Sequence, residues 1–284
     1  MKITNADRAR ILVHALPYIK EYNGKTVVIK YGGNAMLNEK LKDSVMRDIV
    51  LLHLVGVRVV LVHGGGPEIT DMLSAMGKKT EFVNGLRVTD RETVEVAQMV
   101  LAGKINKTLV NLIECRGGCA IGLCGVDGHM ISAEMKDERL GYVGRITSID
   151  PRPIIDQLDA GYIPVISTLG CDELGNVYNI NADTAAAKIA ASLSAESLIS
   201  LTDISGILRD KDDPESLIPH ITPTEAKQLI AEGVINGGMI PKVECCTDAI
   251  AEGVKKVFII DGRVPHSLLI EMMTDEGIGT MFEE

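Results

Sequence analysis

Thr26-Val27-Val28-Ile29-Lys30-Tyr31-Gly32-Gly33-Asn34 reads as a strand that runs straight into a loop. Thr26 to Ile29 shows no polar–apolar alternation, the pattern of a strand buried on both faces of a parallel sheet. A lysine at the end of such a strand is desolvated unless something anionic meets it. The two glycines let backbone approach a ligand closely. Taken alone, a surface lysine beside a loop explains these residues equally well.

Further along, the unit repeats. Val57 to Val62 is a second apolar run, followed by His63-Gly64-Gly65-Gly66 and by Pro67, a residue suited to the first position of a helix. Glycines ahead of a helix N-terminus present free N–H groups, which together make an anion cradle. A flexible turn is the plainer reading, but three glycines cost more chain entropy than a turn requires.

The rest of the chain keeps the alternation. Further strands are expected at 120–123, 163–166, 198–201 and 256–260. Helices are expected at 39–55, 67–76, 90–102, 104–115, 153–160, 183–193, 222–232 and 240–252. Strands alternating with helices predict an α/β fold, a three-layer α/β/α sandwich around a mostly parallel sheet. Residues 79–88 and 130–147 break the rhythm and read as β excursions. A polar, Gly-containing stretch at 169–179 is the natural place for a lobe boundary. Before the first strand, an apolar stripe (Ile11, Leu12, Ala15, Leu16, Ile19) predicts a helix capped by Thr4 or Asn5. Pro17 should kink it and Asn23-Gly24 should end it.

Composition narrows the function classes. The chain has 284 residues, 46% hydrophobic and 24% charged, with no Trp. No apolar run reaches the roughly 18 residues of a membrane helix, and the N-terminus does not read as a signal peptide. A net charge of −10 disfavours general binding of nucleic acid or anionic membrane. The six cysteines lack Cys-x-x-Cys spacing and have no suitably placed His, so they read as free thiols of a reducing, cytoplasmic compartment.

Ligands of open α/β sheets bind beyond the carboxyl ends of the strands, which singles out four more segments. Arg87, in Asn84-Gly85-Leu86-Arg87-Val88-Thr89-Asp90, has the planar fork for a carboxylate, with a surface salt bridge as the alternative. Asn179-Ile180-Asn181-Ala182-Asp183 opens an Ala-rich helix, with Asn181 or Asp183 as cap. Thr202-Asp203-Ile204-Ser205-Gly206 follows a buried strand and fits a nucleotide-side loop. Gly238-Met239-Ile240-Pro241-Lys242 opens another helix. Lys242 in a first turn opposes the helix dipole, a conflict that a bound phosphate removes. No P-loop and no protein-kinase motif is present.

In order, these six segments resemble the amino acid kinase family, and within it the branch that acts on N-acetyl-L-glutamate. The resemblance implies transfer of a phosphoryl group from ATP, with Mg²⁺ carried by the nucleotide and no fixed protein metal site. It implies Lys30, Lys242, Asp183 and Gly33 as catalytic residues, with Gly65, Gly66, Arg87, Asn179 and Asn181 binding N-acetyl-L-glutamate. Thr202, Asp203, Ser205, Gly206 and Gly238 would lie on the nucleotide side. It further implies residues 1–24 as an oligomerisation helix, 25–175 as the acetylglutamate lobe and 176–284 as the ATP lobe. The helix before the first strand and the tail resemble the arginine-inhibited, hexameric subclass (a trimer of dimers). That implies an L-arginine site with Tyr18, His266, Glu271 and Gly277. A kinase of aminoadipate derivatives and a non-catalytic amino-acid sensor are the alternatives. Retention of both Lys30 and Lys242 weighs against the sensor.

Overall fold

A computed structural model describes residues 4–36 and 38–284. Residues 1–3 of the expected N-terminal segment and residue 37 lie outside the described residues. The main sheet is built from β1 (Thr26–Tyr31), β2 (Arg58–His63), β5 (Ala120–Cys124), β8 (Ile163–Ser167), β11 (Ser197–Thr202), β12 (His220–Ile221), β13 (Lys256–Asp261) and β14 (Thr280–Phe282). Their order is β12-β14-β13-β11-β1-β2-β8-β5. Every pairing is parallel except β13 with β14. A smaller sheet sits beside it. It joins β6 (Ile131–Met135), β7 (Gly144–Ile149), β9 (Leu169–Cys171) and β10 (Val177–Asn179). β3 (Phe82–Val83) and β4 (Leu86–Arg87) form a hairpin.

Side chains of the central strands alternate between two apolar cores. Val27, Ile29, Val59 and Leu61 enter one core, together with α3 (Glu39–Leu54), α4 (Gly66–Ala75), α5 (Arg91–Gln98), α6 (Asn106–Glu114) and α11 (Ser267–Met273). Val28, Val60, Val62 and Leu198 enter the other, together with α7 (Arg152–Asp159), α8 (Ala182–Ser192), α9 (Pro223–Ala231) and α10 (Met239–Ala251). Both faces are apolar, so the strands lack polar alternation, as a sheet covered on both sides requires. Each core draws residues from both halves of the sequence.

Two expectations need correction, and two segments gain a fold. The N-terminal helix is two helices, α1 (Asn5–His14) and α2 (Leu16–Tyr22), because Pro17 is tolerated only at a helix start and begins a new one. The helices expected at 90–102 and 104–115 form one rod, continuous through a π-turn at Met99–Ile105. The stretch 169–179, expected as a lobe boundary, holds two short strands. It forms the β9–β10 hairpin, whose turn is tied by Asp172 accepting from the Leu174 and Asn176 amides. The tail folds into α11 and β14, and α11 docks on α3 through buried Asp48. Asp48 Oδ1 lies 2.6 Å from His266 Nδ1, and the His266 amide donates to Ser44 Oγ at 3.0 Å.

Candidate active site

Lys30, the next-to-last residue of β1, is turned toward α8, on the same face as Val28. Its ammonium lies 2.9 Å from Asp183 Oδ1, and its side chain is 8% exposed. Lys242, from the first turn of α10, reaches Asp183 Oδ2 at 3.3 Å. Ser200 Oγ donates weakly to Oδ1. Asp183 is placed by its own helix. Asn181 caps α8, its Oδ1 accepting from the Asp183 and Thr184 amides at 3.0 Å each. The fully buried Ala185, Ala186 and Ala190 let the helix approach the strands closely. Burial opposes ionisation of Asp183, but Lys30 and then Lys242 outweigh it and hold its pKa down to about 2. The carboxylate is therefore charged throughout the neutral range, and both lysines remain held.

A cleft of about 220 Å³ opens beside Lys30. Its walls include Gly33, Gly65, Gly66, Arg87, Asn179 and Asn181, which β1, the β2–α4 loop, the hairpin and the start of α8 bring together. Arg87 is 5% exposed. Its Nη2 donates to Gly66 O at 2.7 Å and Thr70 Oγ1 at 2.8 Å, and its guanidinium lies 4.7 Å from the Phe82 ring centroid. Nη1 is buried and has no partner among the described residues. One edge of the fork is thus anchored to α4 and the other is left for an acceptor, as carboxylate capture requires. Gly33 adopts φ +69°, a conformation that favours glycine. Asn181 has its Oδ1 committed to the cap.

Beyond Lys242, Asp203, Ser205 and Gly206 line a second pocket of about 320 Å³, with Lys211, Asn236 and Arg263 on its walls. Thr202 is buried and serves the turn, its hydroxyl donating to Ile204 O and accepting from the Ile204 amide. Gly238 is the residue preceding α10 rather than part of the pocket wall. Several wall residues escaped the sequence reading. Thr168 and Val143 of the cleft come from the smaller sheet and its edge and carry no motif. Arg263 could have been found, because it lies just past the end of β13, much as Lys30 lies near the end of β1. Its guanidinium is held by Asp261 at 2.8 Å.

The residues expected at an arginine site lie on α2, at α11 and in the segment after it. Tyr18 donates its hydroxyl to Asp275, and both line an apolar groove of about 830 Å³ between α1, α2, α3 and α11. Glu271 instead accepts from the Ile278 amide at 2.9 Å, with Gly277 packed beside it. His266 is turned to Asp48. All six cysteines are free thiols, and no group of three metal-ligating side chains occurs among the described residues.

Two lysines held on one carboxylate, glycine-rich loops and an arginine with one free edge are the kind of equipment that a phosphoryl-transfer protein uses. The amino acid kinase family model matches residues 25–261, and the chain belongs to that family. An acetylglutamate kinase of Brachyspira hyodysenteriae is 57% identical over 284 residues, covering 99% of each chain. One from Thermosynechococcus vestitus is 55% identical over 280 residues, covering 98% of this chain and 95% of its own. Among solved structures, the N-acetylglutamate synthase of Neisseria gonorrhoeae, complexed with coenzyme A and N-acetyl-glutamate, superposes with a TM-score of 0.86. It is 29% identical, over 97% of this chain and 63% of that one. The carbamate kinase of Giardia lamblia bound to AMP-PNP shares the fold, with a TM-score of 0.65 and 21% identity over 92% of this chain and 99% of that one.

Proposed function

We propose that Lys30, Asp183 and Lys242 form the phosphoryl-transfer centre of a kinase whose acid substrate lies in the Arg87 cleft and whose ATP lies in the Arg263 pocket. The reaction is ATP-dependent phosphorylation of the side-chain carboxylate of N-acetyl-L-glutamate to N-acetyl-L-glutamyl 5-phosphate, an early step of arginine biosynthesis. The observation that carries the site reading is the Lys30–Asp183–Lys242 network, whose Lys30 also lines the cleft. A carboxylate and a nucleotide phosphate repel each other, and the protein is itself acidic. Two lysines and the amides near Gly33 and Gly65 offset that repulsion where charge develops. The nucleophile is already ionised at neutral pH, so no general base is needed. Asp183 holds the lysines apart and aimed, with no proton to move.

Arg87 Nη1 would take a carboxylate of the substrate, and Asn179 a further polar group. Mg²⁺ would ride on the phosphate oxygens and supply charge neutralisation. In this reading residues 25–175 carry the acid substrate, 176–284 carry ATP, and 1–24 join subunits in a hexameric, cytoplasmic enzyme inhibited by L-arginine. Supporting that last part, α1 has no buried residue, and Ile11, Leu12, Val13 and Leu16 are more than half exposed beside the groove. The test is coupled ATP turnover with N-acetyl-L-glutamate, L-glutamate, L-aspartate and N-acetyl-aminoadipate. Preference for N-acetyl-L-glutamate is expected. Preference for the aminoadipate compound, or no turnover with any of the four, would overturn the assignment.

A further inference from the structure

His63 closes β2 and is fully buried, as is Asn106 at the start of α6 (1% exposed). Asn106 Nδ2 lies 2.8 Å from Val165 O, 3.2 Å from Leu123 O and 3.2 Å from His63 Nε2, while Lys107 Nζ donates to Asn106 Oδ1. Two carbonyls beside Nδ2 fix the amide orientation, since only the NH₂ can donate to them. The NH₂ has two hydrogens for three neighbours and cannot accept, so a proton on His63 Nε2 would face a donor, and the unprotonated Nε2 is favoured. His63 Nδ1 lies 2.9 Å from Gly64 O, which can only accept, so Nδ1 carries the proton. The carbonyl at Nδ1 and the donor group facing Nε2 both favour one neutral tautomer. Burial supports it by pulling the His63 pKa down to about 4.

The bond to Gly64 O acts on the next amide. The Gly64 carbonyl and the Gly65 N–H belong to one trans peptide plane and point in opposite directions. Pinning the carbonyl toward His63 turns the Gly65 N–H the other way, and Gly65 lines the substrate cleft. No acceptor among the described residues takes that N–H. The far side of the loop is blocked too. A Cβ on Gly65 would stand 2.2 Å from Ile105 Cδ1 and 2.8 Å from Leu101 Cδ2, both on the π-turn that ends where Asn106 begins. π-turns recur at functional sites, and this one brings Leu101, Ile105 and Asn106 under the loop together.

We propose that His63, locked by Asn106 as its Nδ1–H tautomer, is a positioning residue that aims the Gly65 amide at the anionic substrate. The role rests on the site reading above. It predicts that the two amide isosteres of histidine behave differently. His63→Asn keeps a donor where Nδ1 stands, whereas His63→Gln keeps a polar atom at the Nε2 position and loses the donor to Gly64.

The experiment has two arms on the full-length protein. In the first, the imidazole ¹⁵N spectrum of the unmodified protein is recorded without ligand. A neutral Nδ1–H His63 is expected between pH 5 and 8, and an Nε2–H tautomer would overturn the proposal. In the second, steady-state constants and thermal midpoints are compared for the two variants. His63→Gln is expected to raise KM for N-acetyl-L-glutamate by about 10²-fold with KM for ATP unchanged, and His63→Asn to restore most of the loss. Equal losses in both variants, or losses shared by the ATP constant, would mean a merely structural histidine and overturn it. If neither variant folds, the tautomer decides. A wild-type protein inert toward N-acetyl-L-glutamate would strike the site reading instead, which the ligand-free spectrum does not use.

Discussion

Asp183 holds two cations with one carboxylate, and the two are not equivalent. The Lys30 side chain is 8% exposed and that of Lys242 29%. Lys30→Ala and Lys242→Ala are each expected to lower kcat on the order of 10²–10³-fold, while binding of N-acetyl-L-glutamate is largely kept. Unfolding should separate them. Without Lys30 a mostly buried carboxylate loses its closer partner, so this variant should melt at the lower temperature. Near-normal turnover in either would remove that lysine from the mechanism. Arg87 makes a different case. An ammonium at this position cannot bond Gly66 O and Thr70 Oγ1 and still present a second edge to the cleft. Arg87→Lys should chiefly raise KM for the acid substrate and spare that for ATP. A change confined to the ATP constant would reverse the assignment of the two pockets.

Among the elements, α1 stands out because its apolar residues are largely exposed among the described residues. Leu12 is 73% exposed and Ile11 60%. A second copy of the helix is the economical cover. Deleting residues 1–22 is expected to reduce the particle size on a sizing column and to abolish inhibition by arginine. An undiminished oligomer after deletion, or no arginine response in the full-length enzyme, would remove this reading and leave catalysis untouched. The elements also show what was legible in the chain. β1, β2, β8, β11 and β13 were readable because burial on both faces leaves an unbroken apolar run. The ligand loops were readable because they follow those runs directly. β9, β10, β12 and β14 have two or three residues each, too few for any periodicity, and they exist only because neighbouring strands pair with them. The π-turn was hidden because a helical stripe looks alike whether one turn is wound loosely or not. His63 passed as the last residue of a strand, since its role depends on Asn106, which is distant in sequence.

For the molecule as a whole, buried groups pull the acid response in opposite directions. His63 has a folded pKa near 4 against 6.5 in an unfolded chain, and burial also lowers that of His53. Between pH 6.5 and 4 the unfolded state takes up protons that these histidines refuse, so their contribution falls as pH falls. Asp48 is pushed up to about 6 by burial, opposed by His266, and Glu271 is raised by burial. Their protonation in the folded state adds stability over nearly the same interval. Stability is therefore expected to change little from pH 6.5 to 4.5 and to drop below about 4, where Asp183 and Asp90, both held near 2, lose their advantage. Thermal unfolding against pH checks it. Asp48→Asn should make the midpoint fall with acid across that interval, and His63→Asn should make it rise. The strand order has a further consequence, in time rather than in energy. β1 has β2 on one side, but its other neighbour, β11, begins only at Ser197, far downstream. A chain leaving the ribosome can assemble β1, β2, β8 and β5 while one edge of β1 still waits for a partner. Non-local parallel pairing is slow, and a bare apolar edge is a template for the wrong strand. Newly made copies of this protein should thus depend on being kept apart until the last third of the sequence has emerged.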